Sequence, residues 1–168
     1  MAVAKFVEMG GDIAAQMLLF RGARVYIGAG AYDDRAAMVA AVGSDLPALL
    51  GSDYDELGEV AEKPGKISGS VDLIKLKNKS IPGLRKNAVE LNLVGISEGR
   101  LAFLESELSE QEATIIIVNS AGDTAMVFNG LTWTGSQEGE IGDVFKVTLK
   151  AEFEGVTANK IWILEGQA

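Results

Sequence analysis

A protein without histidine or cysteine has only carboxylates, lysine, tyrosine and serine for catalysis, and this chain of 168 residues contains neither. Their absence removes the Ser-His and Cys-His nucleophile pairs, histidine and thiolate zinc sites, and disulfides. A few stretches still imitate sites. Asp53, Asp55 and Gly58 resemble the start of a calcium loop, but Pro64 stands at the twelfth position where a bidentate Glu must close the ligand set. Gly28, Ala29 and Gly30 follow a strand-like run as a dinucleotide fingerprint does, yet Asp33 replaces the third glycine and no βαβ unit follows, so a tight turn is the better reading. Glu105, Glu107, Glu110 and Glu112 gather at and after an amphipathic run. A working acid-base pair needs one carboxyl desolvated, and so polar a run reads as a solvated face. Asn78, Lys79 and Ser80 form a glycosylation sequon, which has meaning only in a secreted chain. No catalytic residue, metal site or cofactor is expected, and the chain is not expected to be an enzyme.

The basic residues are concentrated in one place: Lys75, Lys77, Lys79, Arg85 and Lys86. They read either as a charged hairpin tip guarding a sheet edge or as a contact for an acidic neighbour, another copy of this chain included; the second is preferred. The formal charge is −9, from 24 acids and 15 bases, and such a chain repels polyanions, so a conventional nucleic-acid binder is not expected. The first twenty residues have an apolar stretch but no basic leader, and Glu8 and Asp12 interrupt it short of a membrane span. A soluble, non-secreted protein with no membrane partner is the expectation. The length fits one domain, 1–168, that buries its own core.

The elements that must position these residues are mostly strands. SVDLIKLK, AVELNLVGI, ATIIIVN, TAMVFNGLTW, DVFKVTLKAEFEG and NKIWIL are β-type runs, often apolar on both faces, after an earlier strand ARVYIGAG. Such surface belongs to a sheet covered on both sides or completed by another copy. Asp33 to Leu50, alanine-rich with Gly43 and Pro47 as breakers, predicts two short helical turns. Gly51 to Gly65 is polar and acidic and is expected as an exposed loop, with Leu57 and Val60 as anchors. The strand from Lys66 changes phase between Val71, Leu73 and Ile74, Leu76, which predicts a bulge or two-sided burial. NKSIPGLRKN is expected as a turn segment. Val89, Leu91 and Leu93 alternate with Glu90 and Asn92, one face core and the other polar. Ser97 is expected to cap a helix with an apolar stripe of Leu101, Phe103, Leu104 and Leu108, and the last two strands to pair as a terminal hairpin. Trp133, Trp162, Phe128, Phe145 and Phe153 are expected in the core.

Read in order, these segments resemble a phage tail tube protein, the major tail protein related to type VI secretion tube rings. Leu57, Gly58, Glu59, Val60 before ISGSVDLIKL resembles the family's glycine-acid loop leading into a long hairpin arm; Ile81, Pro82, Gly83, Leu84 and AVELNL resemble the returning arm. One helix, then Phe128, Asn129, Gly130, Leu131 and the closing run DVFKVTLKAEFEG complete the likeness, over residues 57–164, while 1–56 diverge through the alanine-rich insert. The resemblance implies a mainly β (α+β) fold, a β-sandwich or small barrel with one flanking helix and a long β-hairpin arm, assembling into a ring. It implies a virion protein of the viral tail, assembled in the host cytoplasm, whose partners are itself in stacked hexameric rings, other tail proteins (tape measure, terminator, sheath), and double-stranded DNA passing without specific binding. Ring contacts are expected at Leu57, Gly58, Glu59, Val60, Lys75, Lys77, Lys79, Arg85 and Lys86, and an acidic lumen at Asp72, Glu90 and Glu152. Removing Glu59 to Lys79 is expected to abolish assembly and leave the domain folded. A type VI-like ring or a small-ligand-binding β-barrel are the alternatives.

Overall fold

The computed structural model describes residues 22–42, 54–96, 98–106, 110–119, 124–139, 141 and 145–165. Among the described residues eight antiparallel strands form one sheet: β1 (Arg24–Ala29), β2 (Asp55–Lys75), β3 (Ser80–Val94), β4 (Ala113–Val118), β5 (Thr124–Leu131), β6 (Trp133–Glu138), β7 (Lys146–Glu154) and β8 (Ile161–Glu165). Helix α1 (Arg35–Val42) lies between β1 and β2, and α2 (Glu98–Ser106) between β3 and β4. The mainly β class is as expected. The alanine-rich insert adds α1 to the one flanking helix anticipated, and the remainder of the insert, the Ser97 cap and Leu108 lie outside the described residues.

The strand order is β6-β7-β3-β2-β1-β4-β5-β8. β5 and β6 stand six places apart in that order, roughly 29 Å in a flat sheet at ~4.8 Å per strand. Only Thr132 separates them in sequence, so the sheet must roll until the start of β6 comes back beside the end of β5. Trp133 fastens this corner: its indole Nε1 donates to the Ala113 carbonyl at 3.2 Å. Its ring stands edge-on to Phe128, 5.9 Å between centroids at 87°. The inward face of the roll carries Val25, Leu57, Val89, Leu93, Ile115, Phe128, Trp133 and Leu149, with Leu104 of α2 packed among them.

On the outer face of β4 and β5 a second apolar cluster forms. Ile115 and Ile117 point into the roll, whereas Ile116, Val118, Ala125, Val127 and Trp162 point outward and are buried with Met38 of α1 and Tyr54. Strand β4 is therefore buried along its whole length, as its unbroken ATIIIV requires. Asp34 starts α1 by accepting the Ala37 amide at 2.7 Å through Oδ1, as an N-cap does.

Several sequence expectations are corrected. Residues 55–65 are strand, part of β2, because Leu57 and Val60 are core residues and not loop anchors. NKSIPGLRKN is mostly β3: the turn is confined to Leu76–Lys79, where the Leu76 amide donates to the Lys79 carbonyl at 2.7 Å. β7 and β8 do not pair with each other; β7 pairs with β3 and β6, and β8 with β5, because Trp162 is buried in the cluster beyond β5. Phe145 is largely exposed, just before β7 begins.

Candidate functional site

β2 and β3 outrun the sheet. β7 accompanies β3 only as far as the Lys86↔Glu154 pair, so among the described residues the hairpin from Ser70 to Arg85 continues without a third strand. Pro82, which has no N–H to offer a neighbour, sits in this stretch opposite Leu73, as an edge position allows. The expected phase change is present as a register shift between Val71 and Leu73. Leu73 is 65% exposed, Leu84 58% and Ile74 50%, and Val71, Leu76 and Ile81 are exposed too. An isolated two-stranded hairpin is marginally stable in water, and this one carries apolar side chains that none of the described residues covers.

Its root is clasped. Asn87 is buried; its Nδ2 donates to the Gly155 carbonyl at 2.7 Å, and its Oδ1 accepts from Arg85 Nε at 3.1 Å. The Gly155 amide donates to the Arg85 carbonyl at 2.9 Å. Gly69 lies against the same group, and a Cβ there would stand 2.4 Å from Asn87 Oδ1. The arm is thus aimed by its root although its length is free.

The structure brings Lys75, Lys77, Lys79, Arg85 and Lys86 together on this arm, all exposed. Between Ser70 and Arg85 the four bases Lys75, Lys77, Lys79 and Arg85 meet only Asp72, a net +3 in a chain of −9, so the other residues together carry −12, and Lys86 stands at the root opposite Glu154. Leu57, Gly58, Glu59 and Val60 are not with them. They lie far back on β2, where Leu57 and Val60 belong to the inner core, Gly58 is buried, and Glu59 pairs with Arg24 and Val94. Sequence reasoning named the lysines and missed the apolar residues between them. The signal was there: the phase change puts leucine and isoleucine on both faces of a strand that no covering element accompanies.

The three acids assigned to a lumen separate as well. Asp72 is on the arm, while Glu90 and Glu152 share the outer polar face of β2, β3, β7 and β6. On that face Glu90 stands between Lys66 and Lys150, Glu154 opposite Lys86, and Glu138 opposite Lys146. From Lys66 of β2 across β3, β7 and β6 the described residues set four lysines with four glutamates, Glu152 among them opposite Ala88, so this stretch of the face is balanced and not acidic. Cross-strand opposite charges of this kind favour the register.

A second polar feature holds the connection from β1 to α1. Asn129 is buried; its Oδ1 accepts from the Tyr32 amide at 2.8 Å and its Nδ2 donates to the Tyr32 carbonyl at 2.9 Å. Thr114 Oγ1 donates to the Gly30 carbonyl at 2.9 Å and accepts from the Gly130 amide at 3.1 Å. Gly130 has φ +59°, and a Cβ there would fall 2.4 Å from Ala31 Cβ, so glycine is required twice over. This node is structural; it leaves no buried polar side-chain atom unsatisfied among the described residues.

No family model matches the chain, and no curated protein matches it. Among solved structures it is similar to a chain of the anti-feeding prophage baseplate determined by cryo-electron microscopy with 6-fold symmetrisation. The identity is 10% and the TM-score 0.38, over 88% of this chain and 95% of that one. A likeness of that degree carries no functional weight.

Proposed function

We propose that this chain is a self-assembling structural subunit of a phage-type tail tube, closing into six-membered rings that stack into a hollow conduit for DNA. The observation that carries the reading is the arm: sixteen residues, Ser70 to Arg85, held out from the body with uncovered apolar side chains and a charge opposite to the rest of the molecule. A second copy supplies what the arm lacks, apolar cover and acidic groups, and among the described residues the outer edges of β6 and β8 have no strand laddered beside them, which suits lateral continuation by neighbours. The polar face of β3 and β7 suits a conduit wall in a way the sequence did not suggest. Each of its lysines has a glutamate beside it in the ladder, so phosphates passing along the wall meet few uncompensated cations.

A ligand-binding barrel is the weaker reading, because the inside of the roll is filled by Trp133, Phe128, Leu93 and their neighbours. Sedimentation velocity with negative-stain imaging of the full chain tests the proposal. Rings or tubes are expected for the wild type, and monomers of unchanged melting temperature when Val71–Leu84 is replaced by a two-residue turn. A wild type that stays monomeric at high concentration across salt conditions overturns it.

A further inference from the structure

At the far end of β2 from the arm's turn the structure has a groove of about 520 Å³ between α2 and the ends of β1 and β2. Ile27, Leu57, Phe103 and Ala113 are its apolar lining, and Asp55 and Glu56 stand at its rim with Arg100 as the one basic lining residue. Glu98, Glu110 and Glu112 are exposed on the adjoining α2 and on the approach to β4.

We infer that this groove receives the apolar, basic arm of a second copy, so that successive molecules join head to tail along the strand direction. The inference rests on the tube reading and names the surface on which that reading depends. Three observations support it. The arm carries net +3 and exposes Leu73, Ile74 and Leu84, while the groove sets Phe103 over the buried Ile27, Leu57 and Ala113, with two acids, Asp55 and Glu56, against one base, Arg100. Arm and groove lie at opposite ends of one strand, with Leu57 and Lys75 separated by eighteen residues, roughly 60 Å of extended chain at ~3.3 Å per residue less what the register shift between Val60 and Gly65 takes up. A chain whose two complementary surfaces lie at opposite ends makes heterologous contacts that propagate instead of closing a two-fold dimer.

The chain has no cysteine, so single thiols can be placed without background. Leu73→Cys and Asp55→Cys chains, each exposed at the altered position, are mixed under assembly conditions and treated with a short bismaleimide. A covalent heterodimer is expected in large excess over the same reaction with Lys146→Cys in place of Asp55→Cys. In parallel, Asp55→Lys with Glu56→Lys is expected to weaken assembly about tenfold, more at low salt, and Lys75→Glu with Lys77→Glu on the same chain to restore it. Wild-type rings that form while crosslinking stays at the Lys146→Cys level overturn the groove and leave the tube reading standing. Unassembled wild type overturns both.

Discussion

Strand β4 and the arm of β2–β3 are written in the same idiom, apolar residues in both phases of a strand, and meet opposite fates. In β4, Ile115 and Ile117 enter the roll while Ile116 and Val118 are covered from outside by α1 and β8. In the arm, Val71, Leu73, Ile74 and Leu76 stay exposed and find no second layer among the described residues. Two-faced apolar strand surface is a demand for two covers, and the difference between these regions is where the covers come from. One is internal and supports the monomer; the other, in our reading, is a sister molecule.

The sharpest way to break this contrast is to damage the covered half. Phe128→Ala should cost about 3–5 kcal/mol in urea unfolding, since it empties a fully buried site and removes the edge contact to Trp133. A loss under 1 kcal/mol would mean that the roll is not closed at that corner. Asn129→Ala should cost about 1–3 kcal/mol, because the Tyr32 amide and carbonyl lose partners in a part-buried connection. Gly130→Ala should be destabilising by at least ~1–2 kcal/mol from its left-handed backbone alone, with the Ala31 contact adding to it.

The arm should respond the other way. Leu73→Ser with Ile74→Ser is expected to move unfolding free energy by no more than about 0.5 kcal/mol, since exposed positions contribute little to the monomer. The same pair should abolish polymer in sedimentation; if it lowered stability as much as Asn129→Ala does, the arm would belong to its own core and the contrast would fail. Smallest of all, Glu90→Gln should leave stability within ~0.5 kcal/mol in a melt at low salt, because a pair on a half-open face is weakly coupled.

The same contrast locates what was legible in the sequence. Alternation of Val89, Leu91 and Leu93 with Glu90 and Asn92 appears as written, because a strand with one wet face has only one solution. Runs without alternation were ambiguous: ATIIIV and VDLIKL look alike, and nothing local says which will be covered. The expected loop failed over residues 55–65 because its acids and glycines outweighed Leu57 and Val60, whose burial depends on strands far away in the chain. A deletion from Glu59 would therefore remove core strand, and the separable arm starts only beyond Gly69. The lysines beside Glu90 and Glu154 were not legible for a related reason, since net charge says nothing about which lysines a ladder will set beside which glutamates.

By itself the sequence determined the chemical repertoire, the predominance of strands, the basic hairpin and the phase change within it, since residue type, period and local charge are properties of neighbours along the chain. Strand order, the rolling of the sheet, the helix laid over β4 and the nakedness of the arm were decided only in three dimensions, because burial is set by contacts between segments distant in sequence, and β5 can reach β6 through one residue only if everything between them curls.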